Sequence, residues 1–252
     1  MVNGDSPTFV TRSVKVNGFT IQVRSRGNVE RKTVLLIHGL ASSEKYFRRL
    51  AYMMTEKYCV VSINLPGYGD TKKPSRALNL DELTDVTAQF IRQEKIRKPI
   101  IIGHSMGSQI VARLCSVTNL PIDRIVLLSP TVNLKERTAP QQLLRLLQDI
   151  FREPLDVNLL QLFDYIKFGP IRYLRTQRFL MKDRIEESLV KTSQPVIILC
   201  GARDKIVPLD WVLFLSSIPA NGSFVDIKGG AHNIHYTHPK DVFAICSHFI
   251  EQ

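Results

Sequence analysis

A run of three isoleucines leads into a serine with a glycine two residues away on either side. The stretch Lys98-Pro99-Ile100-Ile101-Ile102-Gly103-His104-Ser105-Met106-Gly107 narrows the possible folds more than any other. A short, wholly apolar run suits a strand buried on both faces, and the pattern that starts at Met106 is helical. The chain must therefore pass from strand to helix within a few residues. Gly103 and Gly107 let the two elements run close together at a sharp bend. Such a bend holds the Ser105 hydroxyl clear of the sheet. It also aims the Met106 backbone N–H, at a helix N-terminus, toward anything the serine attacks. Gly-x-Ser-x-Gly on its own recurs by chance, so its meaning depends on partners elsewhere.

The surrounding pattern alternates strands with helices. Arg12 to Arg24 alternates apolar and polar residues about Asn17-Gly18, which predicts an opening hairpin. Thr33–Ile37 and Cys59–Ile63 read as buried strands. Between them, Ser42 or Ser43 is placed to cap a helix reaching about Lys57. Helices are expected over about Asp81–Ile96 and Met106–Val117, and strands over Arg124–Leu128, Pro195–Leu199 and Phe224–Ile227. A last helix spans Pro239–Phe249. Strands alternating with helices imply a mostly parallel sheet covered on both faces. From Thr131 to about Lys191 there is no strand-like run. That stretch reads as three helical segments, Gln141–Phe151, Leu155–Phe168 and Ile171–Val190 with a possible break, inserted at one edge or end of the sheet.

A serine hydroxyl needs a base within hydrogen-bond reach, and the base needs a third group to fix its tautomer. In open parallel sheets such groups gather at the carboxyl ends of strands. Asp204 follows the strand ending at Leu199, across Cys200-Gly201-Ala202-Arg203. No carboxylate follows Leu128, and Asp210 falls in the first turn of the next helix, where a dipole role explains it. His232, in the loop after the last strand, is the base candidate. His235 is placed for a cleft contact, His238 for the N-terminus of the last helix, and His248 lies inside that helix. Ser105, Asp204 and His232 are thus the catalytic candidates, in the chain order Ser…Asp…His.

Composition closes off other classes. The chain has 252 residues, 44% hydrophobic and 23% charged, enough for one core with an insertion. Its net charge of +11 is spread along the chain with no basic tract, so no nucleic-acid partner is expected. Met1–Val10 lacks the apolar region of a secretory leader, and no run is long enough to span a membrane. Cys59, Cys115, Cys200 and Cys246 are far apart in apolar stretches. They suit reduced, buried thiols and a cytoplasmic chain. No Cys/His spacing marks a metal site, and nothing calls for a cofactor.

The hairpin, His38-Gly39, Gly103-x-Ser105-x-Gly107, Gly201-x-x-Asp204 and Gly229-x-x-His232 follow one another over almost the whole chain. Together they resemble the α/β-hydrolase fold family. The resemblance implies a mostly parallel eight-stranded sheet flanked by helices. It divides the chain into a first core part at 1–130, a helical cap at 131–191 and a second core part at 192–252. Asn64-Leu65-Pro66-Gly67-Tyr68-Gly69 is similar to the family's Pro-Gly-x-Gly loop. The resemblance further implies a second oxyanion donor, the Leu40 N–H, beside that of Met106, each lowering a barrier by about 3 kcal/mol. His38 and His104 read as scaffold.

Epoxide hydrolases and haloalkane dehalogenases of this fold carry aspartate where Ser105 stands, so acyl chemistry is expected. The expected reaction is cleavage of a carboxylic ester in a small, partly apolar substrate, through an acyl-enzyme. A C–C bond hydrolase, a thioesterase and a non-catalytic small-molecule receptor are the alternatives. Two apolar stripes, one through Leu143, Leu144 and Leu147 and one through Leu159, Leu162 and Phe163, are expected to pack on the core and roof an apolar pocket. Arg172, Arg175 and Arg178 are expected to face water, their charge diluted by neighbouring acids.

Overall fold

The computed structural model describes residues 8–252, so most of the Met1–Val10 reading lies outside the described residues. β1 (Val10–Val16) and β2 (Phe19–Arg26) form the opening hairpin. Asn17 and Gly18 both have positive φ, 47° and 78°, as a tight two-residue hairpin turn demands. β3 (Thr33–Ile37), β4 (Cys59–Asn64), β5 (Ile100–His104) and β6 (Arg124–Leu128) follow. β7 (Val196–Gly201) and β8 (Gly222–Ile227) complete an eight-stranded sheet. The spatial order is β1-β2-β4-β3-β5-β6-β7-β8. Only the pairs β1–β2 and β2–β4 are antiparallel. This is the α/β-hydrolase architecture that the sequence pattern implies.

The helices are α1 (Arg48–Met54), α2 (Leu80–Gln93), α3 (Met106–Val117), α4 (Ala139–Ile150), α5 (Leu155–Phe168), α6 (Pro170–Lys182), α7 (Ile185–Val190), α8 (Leu209–Ser216), α9 (Ile234–Thr237) and α10 (Pro239–Glu251). Central strands β4, β5 and β7 are buried at every position, because helices cover both faces. Val34, Leu36, Ile100 and Ile102 pack under α1 and α10, while Leu35, Ile37 and Ile101 pack under α2 and α3. Successive strand residues point to opposite faces, so each apolar run feeds both halves of the core.

Three local readings need correction or refinement. The expected helix from Ser42 or Ser43 begins instead as a 3₁₀ turn at Glu44–Phe47, and neither serine caps it. The Ser43 hydroxyl donates to Asp164 Oδ2 on α5 at 2.7 Å, which takes it away from the helix end. The α2 N-terminus lies slightly earlier than read, where Asn79 and Glu82 form a reciprocal capping box. Ile171–Val190 is two helices broken at Asp183–Arg184. There the buried Asp183 carboxylate accepts hydrogen bonds from Arg113 (2.8 Å) and Gln109 (2.9 Å) of α3.

A fourth correction concerns the 131–191 segment. Its apolar stripes do not pack on the core. Leu143, Leu144, Leu147, Leu159, Leu162 and Phe163 are all exposed. The inner faces mix polar and apolar groups, with Gln142, Asp149 and Asp164 buried alongside Val157, Phe168 and Leu180. The physical reason is that these inner polar groups have hydrogen-bonding work. Ser43 bonds Asp164, Gln142 Nε2 donates to the Glu136 carbonyl at 2.7 Å, and Arg172 donates to the Pro74 and Arg76 carbonyls at 2.6 and 2.8 Å.

Candidate active site

The site grows from the ends of β5, β7 and β8. β5 ends at His104 and α3 starts at Met106, so Ser105 alone makes the bend. It takes φ 53° and ψ −115°, a conformation that disfavours any side chain. Its N–H donates to Leu128 O at 2.9 Å, and the Ser108 N–H donates to Ser105 O at 2.9 Å. A Cβ built on Gly107 would stand 2.2 Å from the Ile37 carbonyl oxygen, so only glycine lets α3 cross β3 so closely.

Asp204 sits three residues past β7, and its carboxylate is fully employed. Oδ1 accepts the backbone N–H groups of Ile206 (2.8 Å) and Val207 (3.0 Å). Oδ2 accepts from His232 Nδ1 at 2.8 Å. The two loops touch at Gly201, where an added Cβ would lie 2.2 Å from the Ala231 carbonyl oxygen. That contact lets residues 28 apart in sequence share a hydrogen bond. Asp204 and His232 are both buried.

Ser105 and His232 line one small cavity of about 70 Å³, with Leu40, Thr131 and Ile206. The hydrogen-bond contact of Ser105 Oγ among the described residues is Thr131 Oγ1 at 3.4 Å, not the imidazole. Met106 is the first residue of α3 and is fully buried, and Leu40 borders the same cavity. No hydrogen bond among the described residues uses either residue's backbone N–H, as expected for a helix's first turn in the case of Met106.

Electrostatics single out His232 among the histidines. Burial works against its charged form, but Asp204 outweighs burial with help from Asp149 and Glu153, and its pKa rises to about 9. Burial lowers His38 to about 4 and His235 to about 3, and holds His104 well below the ordinary imidazole value. His38 Nδ1 lies 2.9 Å from Gly39 O, and its Nε2 accepts the Leu65 N–H at 3.1 Å, so it braces two loops. His104 Nε2 lies 3.2 Å from His232 O. His235 does not reach the cavity. It is wholly buried between Phe47 and His104, at ring distances of 4.5 and 4.3 Å. His238 stands at the N-cap position of α10 without a side-chain cap bond, and His248 is exposed.

Sequence reasoning missed Asp149 and Glu153. Both are buried and come from the end of α4 and the residues after it. Glu153 Oε1 accepts the Asn233 backbone N–H at 2.6 Å and its side-chain amide at 3.0 Å. Burial, reinforced by Asp204 and Glu153 and opposed by His232, raises Asp149 to about 7. A carboxylate near a helix C-terminus runs against the dipole. That unfavourable placement is the one signal the sequence carried. Thr131 was likewise passed over, since it followed β6 without offering a carboxylate.

The family model for the alpha/beta hydrolase fold matches residues 32–164, more than half of the chain. The chain belongs to the α/β-hydrolase fold family. A Mycoplasma genitalium protein that carries an esterase/lipase name is 24% identical over 259 residues, 92% of each chain. A membrane phospholipase A described as a bacterial virulence factor superposes with a TM-score of 0.83 at 20% identity. That match covers 96% of this chain and 86% of the other. An enol-lactonase from Burkholderia xenovorans gives a TM-score of 0.82 at 16% identity, covering 96% and 100%. Among its described residues no helix is long and apolar enough to cross a membrane.

Proposed function

We propose that this α/β-hydrolase cleaves a carboxylic ester of a small substrate through Ser105, His232 and Asp204. The observation that carries the reading is the 2.8 Å bond from His232 Nδ1 to Asp204 Oδ2, beside a cavity that Ser105 also lines. Asp204 fixes the imidazole with Nδ1 protonated, leaving Nε2 free to take a proton. In this mechanism Ser105 Oγ turns from Thr131 toward that nitrogen. Ser105 Oγ then attacks the ester carbonyl and its proton passes to His232. The oxyanion is held by the Leu40 and Met106 N–H groups. Collapse expels the alcohol, protonated by His232, and leaves an acyl group on Ser105. Water, deprotonated by the same imidazole, releases the acid.

The segment 131–191 acts as the cap in this reading. Gln142 of α4, Gln161 and Tyr165 of α5, and Tyr173 and Gln177 of α6 all line the cavity. These polar groups favour a substrate with hydrogen-bonding atoms and a short acyl group. No lysine or arginine lines the cavity among the described residues, which favours a neutral ester over the acidic substrate of a C–C hydrolase. The esterase/lipase, phospholipase and lactonase names of the relatives support the same bond type. The test is hydrolysis of p-nitrophenyl acetate by wild type and by Ser105→Ala. Wild type should turn over, and the variant should lose all but a trace with its melting temperature kept. Equal turnover by both would refute the assignment.

A further inference from the structure

Two of the helices between β6 and β7 present their apolar faces to the outside. On α4, Leu143, Leu144 and Leu147 are about half exposed, and Phe151 just beyond it is 88% exposed. On α5, Leu159, Leu162, Phe163 and Ile166 are exposed at the i, i+3, i+4, i+7 spacing of one stripe. Ile171 and Leu174 continue the surface onto α6. Gln142, Gln161 and Gln177 of the same three helices converge on the Ser105 cavity. The outer faces therefore lie on the side away from the site. Of the twenty large apolar residues exposed among the described residues, eleven fall within 143–174.

The charges of the segment are sorted as well. Asp149, Glu153, Asp164 and Asp183 are all buried on the inner side. Arg175, Arg178 and Lys182 of α6 are exposed and form no ion pair among the described residues. Of the acids expected to dilute this charge, Glu153, Asp164 and Asp183 are buried, Glu136 and Glu186 are half-buried in ion pairs, and Glu187 is exposed, as is Asp156 at the start of α5.

We propose that this outer face docks on an anionic lipid bilayer. Amphipathic helices lying in the interface sink their apolar face roughly 5–10 Å below the headgroups, and basic side chains at the rim add attraction to anionic lipid. A second copy of the chain fits less well. A symmetric pair would bring the same α6 bases together, on chains that each carry +11. The inference concerns a surface away from the cavity and does not depend on the ester reaction.

The test is flotation of the full chain with phosphatidylcholine vesicles, with and without phosphatidylglycerol, at low and high salt. Wild type should float with the anionic vesicles about tenfold more than with the zwitterionic ones, and salt should weaken it. Leu159→Ser/Phe163→Ser should lower the bound fraction about tenfold. Arg175→Gln/Arg178→Gln should remove most of the preference for anionic lipid. Both double variants should hydrolyse p-nitrophenyl acetate as wild type does, since neither touches the cavity. A chain that floats but hydrolyses nothing would overturn the ester reading and leave this one standing. Absence of flotation, or flotation unchanged in the apolar variant, would overturn the docking proposal. So would a light-scattering dimer that Phe163→Ser dissolves and that ignores vesicles.

Discussion

Glu153 Oε1 accepts two hydrogen bonds from Asn233, one from its backbone and one from its side chain, at 2.6 and 3.0 Å. Asn233 follows His232 directly, so this contact fastens the segment after β6 to the histidine loop. Glu153→Ala would leave a buried N–H and a buried amide without that acceptor. Leaving such groups unsatisfied costs about 1–3 kcal/mol. The urea midpoint at neutral pH should fall accordingly, and Glu153→Gln should restore part of it. An unchanged midpoint in the alanine variant would show the contact contributes nothing.

The acids around His232 make a pH prediction. As the proposed base, His232 must be neutral, and its pKa stands near 9 rather than the ordinary 6.5. kcat/KM should therefore rise with pH, with a midpoint above 6.5. Asp149→Asn removes one neighbouring charge and should move that midpoint down. Stability should run the other way. A folded pKa above the unfolded one stabilises below the unfolded value and loses that as pH rises through the folded value. For His232 this loss runs from 6.5 to about 9, and for Asp149 from 3.8 to about 7. Melting temperature should thus decline from mildly acidic to alkaline pH, and Asp149→Asn should flatten the lower part. A kcat/KM midpoint at or below 6.5 in wild type would contradict this electrostatic account.

The small volume of the cavity predicts substrate length. A cavity of about 70 Å³ bordered by three glutamines and two tyrosines has little room for a hydrocarbon chain. Across p-nitrophenyl acetate, butyrate and octanoate, kcat/KM should fall with chain length. A steady rise would show that an apolar pocket forms when substrate enters.

The backbone at Ser105 predicts a trade between stability and function. Holding a non-glycine residue at φ 53° costs about 1–3 kcal/mol. Ser105→Gly removes the side chain that causes the strain. Its melting temperature should exceed that of wild type by a few degrees, while Ser105→Ala should not gain. Equal melting temperatures for all three would mean the bend stores no strain.

Much of this architecture is legible in the chain itself. The runs Val34–Ile37, Ile100–Ile102 and Val196–Leu199 are apolar at every position, which only strands covered on both faces require. Asn17-Gly18 fixes its hairpin because few residue pairs accept two positive φ values. The pairing of Asp204 with His232 could be anticipated because each stands just past a strand end. The orientation of α4 and α5 could not be read. A strong apolar stripe normally faces the core, and nothing local reveals that Gln142 and Asp164 have partners inside. Asp149 and Glu153 escaped for the same reason, since their value depends on where a whole helix lands. Ser43 misled as a cap because its hydroxyl is taken by Asp164, 121 residues away.

The central claim is that Ser105 is a nucleophile activated by the His232–Asp204 pair, and covalent capture tests it most directly. The chain would be treated with a fluorophosphonate, which reacts with an activated serine hydroxyl, and digested for peptide mass spectrometry. One adduct on the peptide containing Ser105 is expected. It should be absent in Ser105→Ala and at least an order of magnitude slower to form in Asp204→Asn, where the imidazole loses its fixed tautomer. No adduct on wild type, or an adduct on Thr131 in place of Ser105, would contradict the account.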